Sequence, residues 1–249
     1  MSVANRRLIV NMGWLGIAVL LLWQLLYAVI GDVALRSPWA TLTFTAGFIT
    51  TPQFATHVSE TFKAFCLALL IAVCAGLAIG FLLGLKRMAS DIFEPFLIAF
   101  YSIPKITLYP ILLLMFGLGL SAKVAFGALH GIIPIALFTL NAVRNVKPVL
   151  LKTSRVMGLS TLATIQSVIF PSALPEIFAG LRIGFSLTLI GTLLGEMFAS
   201  QHGLGFLLMN AIGLHNVDVI VMLTVLLTGF AGLAGVVLLA VDRAIKGPV

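Results

Sequence analysis

Charged residues are scarce in this sequence of 249 residues: Asp, Glu, Lys and Arg make up only 9%, whereas 61% of the residues are hydrophobic. A soluble globular domain carries about 25% charged residues. The mean hydropathy of +1.17 is correspondingly high, and a soluble fold of this length could not bury so much apolar surface. The composition therefore predicts an all-α polytopic membrane protein and excludes a soluble globular protein.

Motifs for catalysis and metal binding are also missing. The sequence has no Walker A motif, so it cannot bind ATP through a P-loop of its own. Its two cysteines, Cys66 and Cys74, lie eight residues apart in one apolar segment, without metal-ligand spacing, and are interpreted as packing residues. No two acidic residues form an obvious acid/base pair, and no HExxH motif occurs. We therefore expect a protein that is not an enzyme and that holds no metal. The scattered histidines are His57, His130, His202 and His215.

Six apolar segments are long enough to cross a bilayer, which takes about 20 helical residues. They predict about six transmembrane helices within a single transmembrane domain, 1–249. We also predict a short helix around Trp39 in the outer loop after the first span. The predicted spans are 8–30, 60–85, 92–119, 122–143, 174–199 and 217–240.

The basic residues follow the positive-inside rule, by which short cytoplasmic loops are enriched in Lys and Arg. Arg36, Lys63 and Lys123 fall outside, and Lys105 and Arg182 lie within spans. This asymmetry predicts that both termini are cytoplasmic, and it explains the net charge of +7 without nucleic acid. The ten predicted cytoplasmic residues are Arg6, Arg7, Lys86, Arg87, Arg144, Lys147, Lys152, Arg155, Arg243 and Lys246.

Two spans have unusual small or breaking residues. Gly76, Gly80 and Gly84 recur every four residues, a spacing that lets a second helix approach closely. The third span contains Lys105 near its middle and three prolines that interrupt helical hydrogen bonding. Lys105 either faces an interior cavity or, if the helix begins later, lies at the membrane interface. The prolines are Pro95, Pro104 and Pro110.

The segment 147–171 is the one long stretch between spans with both charge and a helical pattern. Pro148 suits the first turn of a helix, and Gly158 can adopt the left-handed conformation that ends it. Ser160 is a good N-cap for a second short helix, and Pro171 is expected to stop that helix. One face of this helix would carry Leu159, Leu162, Ile165 and Ile169. The pattern fits either an interfacial cap or an apolar ridge that docks on a partner.

This segment resembles the signature of type I ABC importer permeases. Gly158 and the V-I-F-P ending at Pro171 keep the family spacing, although Lys152-Thr153-Ser154 replaces the usual Glu-Ala-Ala. Three further blocks, 101–119, 171–184 and 195–208, are similar to the nitrate/sulfonate/taurine branch. The likeness covers about 55–245 and places the coupling segment at about 147–171.

The resemblance implies the type I ABC permease fold and a set of partners. The chain would pair with a second copy of itself, with two cytoplasmic ATPase subunits, and with a periplasmic or lipid-anchored substrate-binding protein, in the cytoplasmic (inner) membrane of a bacterium. ATP and magnesium would be bound by the partner ATPase, so this chain needs no cofactor.

The resemblance also implies two groups of site residues. The coupling residues would be Gly158, Leu159, Ser160, Thr161, Leu162, Ala163, Thr164, Ile165, Gln166 and Pro171. The polar candidates for the substrate path are Tyr101, Ser102, Lys105, Thr107 and Glu196.

The predicted function is a permease subunit of an ATP-driven, binding-protein-dependent importer. Lys105 suits a small anion such as a sulfonate, nitrate or organic acid. Glu196 does not suit an anion, and its alternative role is structural, beside Gly203 and Gly205. The other possibilities are a neutral vitamin precursor as solute, an ATP-independent carrier or channel, and a membrane scaffold.

Overall fold

In the computed structural model, the backbone is described for residues 3–246 and the side chains for 13–198 and 200–244. Throughout 3–246 the chain is helical or irregular, without strands. The helices are α1 (Val3–Ile30), α2 (Pro38–Phe48), α3 (Pro52–Gly84), α4 (Arg87–Ser102), α5 (Tyr109–Phe116), α6 (Leu120–Arg144), α7 (Pro148–Val156), α8 (Thr161–Thr164), α9 (Phe170–Ala199), α10 (Leu204–Gly213) and α11 (Val217–Lys246). A 3₁₀ turn, Lys105–Leu108, precedes α5, and a π-helical turn, Ile165–Ile169, joins α8 to α9.

Five helices are long and apolar enough to cross a membrane, and a sixth span is counted if the bent pair around α4 and α5 is one crossing. This confirms the prediction of an all-α membrane protein with about six spans. The cytoplasmic location of both termini stays a prediction, and residues 1–2 and 247–249 lie outside the described residues. The five long spans are Gly13–Ile30, Pro52–Gly84, Leu120–Arg144, Thr161–Phe198 and Val217–Ala244.

Two sequence predictions about α3 and the third span need correction. Cys66 and Cys74 are exposed on α3 and so are not packing residues within this chain. The third apolar segment is not one straight span, because α4 and the helical stretch from Lys105 to Phe116 meet at 88°. Pro104 is the physical cause, since a residue before proline is held extended: Ile103 has φ −65° and ψ 133°.

The contacts group the chain into two compact units. The first contains residues 1–56 and 207–229, and the second contains 57–206 and 230–249. In the first unit the short helix predicted around Trp39 is present as α2, capped by the hydroxyl of Ser37. Arg36 pairs with Asp218, with Nε 2.7 Å from Oδ1. The hydrogen bonds it donates to Asp218 and Asp32 raise the pKa of Arg36, so it stays charged.

In the second unit α6 is the central helix, and α3 packs directly on its backbone. A Cβ atom added at Gly80 would lie 2.5 Å from Cβ of Thr139 and 2.7 Å from the carbonyl oxygen of Ala136. Gly76 contacts Ile135 in the same way, and Gly84 contacts Val143. The four-residue spacing of the glycines matches that of the facing α6 residues, which confirms the predicted close approach.

A second line of glycines brings α9 against α6. Gly180 and Gly184 of α9 lie against Phe138 and Ile135, and Gly131 of α6 lies against Thr188. Ile135 therefore contacts both α3 and α9. Because each contact is made at a position without a side chain, the three helix backbones are held at close range over several turns.

An ion pair fixes the first half of α4 to the end of α6. The guanidinium of Arg144 donates to the carboxylate of Glu94 and lies 3.6 Å from Asp91. It also donates to the side chain of Asn141 at 3.0 Å. Arg144 is the last residue of α6, so this bond joins α4 to the helix end from which segment 147–171 emerges.

We predict that Gly80→Ala destabilises the protein by about 1–3 kcal/mol, because the added methyl group meets backbone that cannot move aside alone. The matched control is Gly16→Ala in α1, where an added Cβ meets no atom within 4 Å. Thermal unfolding of the purified protein in mild detergent measures both. Equal melting temperatures for the two variants would contradict the tight α3–α6 contact.

Candidate functional site

The segment between α6 and α9 begins with α7, and the turn that ends α7 is closed by two backbone hydrogen bonds. The N–H of Gly158 donates to the carbonyl of Arg155, and the N–H of Leu159 donates to that of Ser154, both at 3.0 Å. These are the two bonds of a Schellman motif. Gly158 has φ +66°, the left-handed conformation that glycine adopts without strain. The predicted helix end at Gly158 is confirmed.

The second helix begins where predicted but does not end where predicted. Ser160 caps α8, and its hydroxyl accepts a hydrogen bond from the N–H of Ala163 at 3.3 Å. Pro171 does not stop the helix, because the chain passes through the π-helical turn into α9. In that turn Phe170 donates to the carbonyl of Ile165, five residues back. Pro171 stands in the first turn of α9, where a missing N–H is tolerated.

The segment has a buried base and an exposed apolar tip. Ile169 at its base is buried with Val143 and Ala142 of α6 and with Ala173 and Ile177 of α9. The prediction of one continuous apolar ridge is therefore wrong. Ile169 belongs to the core, Ile165 is half-buried, and only Leu159 and Leu162 are exposed.

We call the exposed group Val156, Met157, Leu159 and Leu162 the apolar tip. The side chains of the apolar tip are highly exposed, although the base of the segment is buried. Met157 is 69% exposed and Leu162 is 64% exposed. Exposed apolar side chains grouped on a rigid element are typical of a surface that contacts another molecule. The remaining predicted coupling residues, Thr161, Ala163, Thr164 and Gln166, lie exposed or half-buried around this tip.

Four of the predicted path residues lie together at the break between α4 and α5. Lys105 does not point away from the chain: its Nζ donates to the carbonyl of Tyr101 at 3.1 Å and lies 5.2 Å from the centroid of the Tyr101 ring. The hydroxyls of Ser102 and Thr107 donate to backbone carbonyls one turn earlier. Tyr101 itself is 42% exposed.

Tyr109 holds this break in place, a role that sequence reasoning missed. It is buried, and its hydroxyl donates to the carbonyl of Gly195 in α9 at 2.6 Å. Its ring packs against Phe126 of α6, with centroids 4.7 Å apart. A tyrosine among aliphatic residues gives no sequence signal for such a distant partner.

Glu196, the fifth predicted path residue, lies elsewhere and is completely buried. Its carboxylate accepts hydrogen bonds from the hydroxyl of Thr61 at 2.8 Å and from the N–H of Gly205 at 3.0 Å. Gly203, with φ +121°, sits so close to Glu196 that a side chain there would overlap the carboxylate. The N–H of Gly203 donates to Nδ1 of His57 at 3.0 Å. Glu196 thus ties α3 and the stretch after α9 together.

Lys123 completes this cluster, and its location on the outer side of the membrane stays a prediction. It is in the first turn of α6, only 3% exposed, with Nζ 3.5 Å from Glu196. A carboxylate without this partner would be an uncompensated buried charge. The pair spans 73 residues, so no local pattern reveals it. A cavity of about 430 Å³ lies beside it, lined in part by Glu60 and His202.

No group of three or more His, Cys, Asp or Glu residues that could hold a metal ion occurs among the described side chains. Two features of the structure are candidates for a functional site: the anchored apolar tip and the polar break after α4.

The fold matches that of a solved transporter. A chain of the MetNI methionine ABC transporter, in an inward-facing form, superposes with a TM-score of 0.67 at 23% identity, covering 76% of this chain and 94% of that one. At this identity the match establishes the fold alone.

Curated relatives include permeases with assigned solutes. The taurine permease TauC of Escherichia coli is 30% identical over 62% of this chain and 56% of its own length. The aliphatic sulfonate permease SsuC of Bacillus subtilis, described as putative, is 26% identical over 78% and 71%. The riboflavin permease RibX of Chloroflexus aurantiacus is 34% identical over 54% and 50%. The match thus spans only half to about seven-tenths of these relatives.

Residues 72–246 match the family described as binding-protein-dependent transport system inner membrane components. This stretch includes the close-packed helices, the break after α4 and the segment with the apolar tip. Together with the taurine and sulfonate relatives, it confirms the resemblance to ABC importer permeases of the nitrate/sulfonate/taurine branch. The chain belongs to the family of binding-protein-dependent transport system inner membrane components.

Proposed function

We propose that this chain is the permease subunit of an ATP-driven importer in a bacterial cytoplasmic membrane, working with a substrate-binding protein. The observation that carries the proposal is the apolar tip, an exposed hydrophobic knob on a buried base. An apolar element of this kind fits a groove on a partner, and a soluble domain that changes shape on ATP binding can move membrane helices through such a contact. Two ATPase subunits, which also bind the ATP and magnesium, and a second copy of the chain would complete the assembly.

The apolar tip would act as the coupling element. Leu159 and Leu162 would enter a groove of the ATPase, while the Schellman turn at Gly158 and the cap at Ser160 fix their direction. The polar residues Thr161, Thr164 and Gln166 would form the rim of this contact, because the edge of such interfaces is solvent-accessible.

Movement at the tip has two physical routes into the membrane. One is the core in which Ile169 packs against α6 and α9. The other is the ion pair of Arg144 with Glu94, which joins the end of α6 to the middle of α4. Since α4 ends at Tyr101 and Ser102, a displacement at the tip would reach the break where the predicted path residues lie.

The solute class that these residues favour is a small anion. Lys105 at the break supplies positive charge. Two relatives are named as permeases for solutes that carry a sulfonate group, one for taurine and one for aliphatic sulfonates. The second candidate is a neutral vitamin-type solute, which the riboflavin relative favours. Glu196 lies away from the break and would serve to hold the helices rather than to contact the solute.

Affinity purification from native membranes in mild detergent tests the proposal. We expect the tagged chain to bring down a P-loop ATPase at about one copy per permease, identified by mass spectrometry. The purified complex, placed in liposomes with its co-encoded binding protein, should take up solute only when ATP is supplied. Uptake without any ATPase partner would instead establish an ATP-independent carrier.

We predict that Leu162→Asp prevents ATPase binding, because a carboxylate cannot enter an apolar groove without losing hydration. Val33→Asp is the matched control, since Val33 is an exposed aliphatic residue in the loop after α1. The ratio of copurified ATPase to permease measures both variants. Equal ratios for Leu162→Asp and the wild type would contradict the role of the apolar tip.

We also predict that Gly158→Pro separates ATP hydrolysis from transport while leaving membrane insertion intact. Proline fixes φ near −65° and has no N–H, so it can neither adopt the φ of +66° nor make the bond to Arg155. ATP hydrolysis and solute uptake, measured on the same liposomes, decide the outcome. Unchanged uptake per ATP would count against a fixed direction of the tip.

A further inference from the structure

A second cavity, of about 420 Å³, opens between α4, α9 and α11 within the second unit. Its volume lies in the range of small-molecule sites, ~300–1,000 Å³. Tyr101 contributes from α4, Arg182 and Ser186 from α9, and Gly235 and Leu239 from α11. We call this space the Arg182 cavity. None of the described residues that line it is acidic.

Arg182 lies within a membrane-spanning helix, twelve residues after the start of α9. A guanidinium at such a position is costly unless it faces a cavity or a partner. Its ion pair is with Asp242 of α11, and the distance from Nη1 to Oδ2 is 4.0 Å. This exceeds hydrogen-bond length, so the pair leaves in-plane N–H donors of the Arg182 guanidinium able to bind a closer acceptor.

The surroundings of the Arg182 cavity add positive charge. Tyr101 lines the cavity, and the ammonium group of Lys105 lies over its ring, with Nζ 5.2 Å from the ring centroid. Lys105 and Arg182 therefore flank the same tyrosine, one over its ring and one in the cavity that it lines. Both residues add positive charge around Tyr101, and such a charge distribution attracts an anion.

We propose that Arg182 is the residue of this permease that recognises the anionic group of the solute, a sulfonate or a carboxylate. This rests on the proposed function as an importer. The fork of N–H donors on arginine matches two oxygens of such a group. Ser186 supplies a hydroxyl, and Ile183 and Leu187 offer apolar wall for the rest of the solute.

Asp242 balances the charge of Arg182 without lining the cavity itself. Its Oδ2 lies 4.0 Å from Nη1 of Arg182, and it is not among the residues around the cavity.

The test uses the complete complex of permease, ATPase and binding protein in liposomes, with radiolabelled taurine as the probe at saturating loaded binding protein. We expect Arg182→Gln to lower taurine uptake by about tenfold or more, the effect of losing a charge-assisted hydrogen bond. ATP hydrolysis stimulated by the binding protein should stay within about twofold of the wild type. The control is Asp242→Asn, which keeps the arginine and should retain uptake.

Three results would overturn the proposal: full uptake by Arg182→Gln, an equal loss in Asp242→Asn, or wild-type uptake of riboflavin but not of taurine. An equal loss would mean that Arg182 serves only its ion pair. If Arg182→Gln does not assemble with the ATPase, uptake by Asp242→Asn and Arg182→Lys tests the proposal instead. The lysine variant should lose part of the uptake, because lysine keeps the charge but lacks the fork of N–H donors. If the wild-type complex hydrolyses ATP but imports no solute, or binds no ATPase, the proposed function itself fails.

Discussion

The contact of three helix backbones through glycine is the constraint on which the second unit of this protein depends. Gly76, Gly80 and Gly84 bring α3 onto α6, and Gly180 and Gly184 bring α9 onto the same helix. In a bilayer, lipid tails are as apolar as leucine, so helices associate through close packing and interhelical bonds rather than through a hydrophobic effect. The small residues therefore determine which helices are neighbours, and the polar sites are arranged around that packing.

Both ends of α6 are held by charge. Lys123 in its first turn pairs with the buried Glu196, and Arg144 at its last residue pairs with Glu94. Between them the helix is packed by shape alone. This arrangement separates the roles of the charged residues: Lys123 and Glu196 keep helices together, Arg144 joins α4 to the start of the segment with the apolar tip, and Arg182 lines the cavity that we propose as a solute site.

Local signals predicted much of this structure, and distant partners account for what they missed. The glycine ladder, the turn at Gly158 and the cap at Ser160 depend on neighbouring residues, and all three are confirmed. Pro171 was expected to end a helix, but it stands in the first turn of α9, directly after the π-helical turn, where a missing N–H is tolerated. The burial of Lys123 depends on Glu196, which lies 73 residues later. The prolines predicted an interruption after α4 but not its angle, which is 88°.

The absence of a loop between α8 and α9, within the described residues, has a mechanical consequence. From Thr161 to Phe198 the chain is one helical rod of 38 residues, about 57 Å at 1.5 Å per residue. Leu162 is at one end, Arg182 is near the middle and Glu196 is at the other end. Because no loop interrupts this helix, Leu162 cannot be displaced without loading the same helix that carries Arg182, and α6 shares that load where Gly180 and Gly184 contact it.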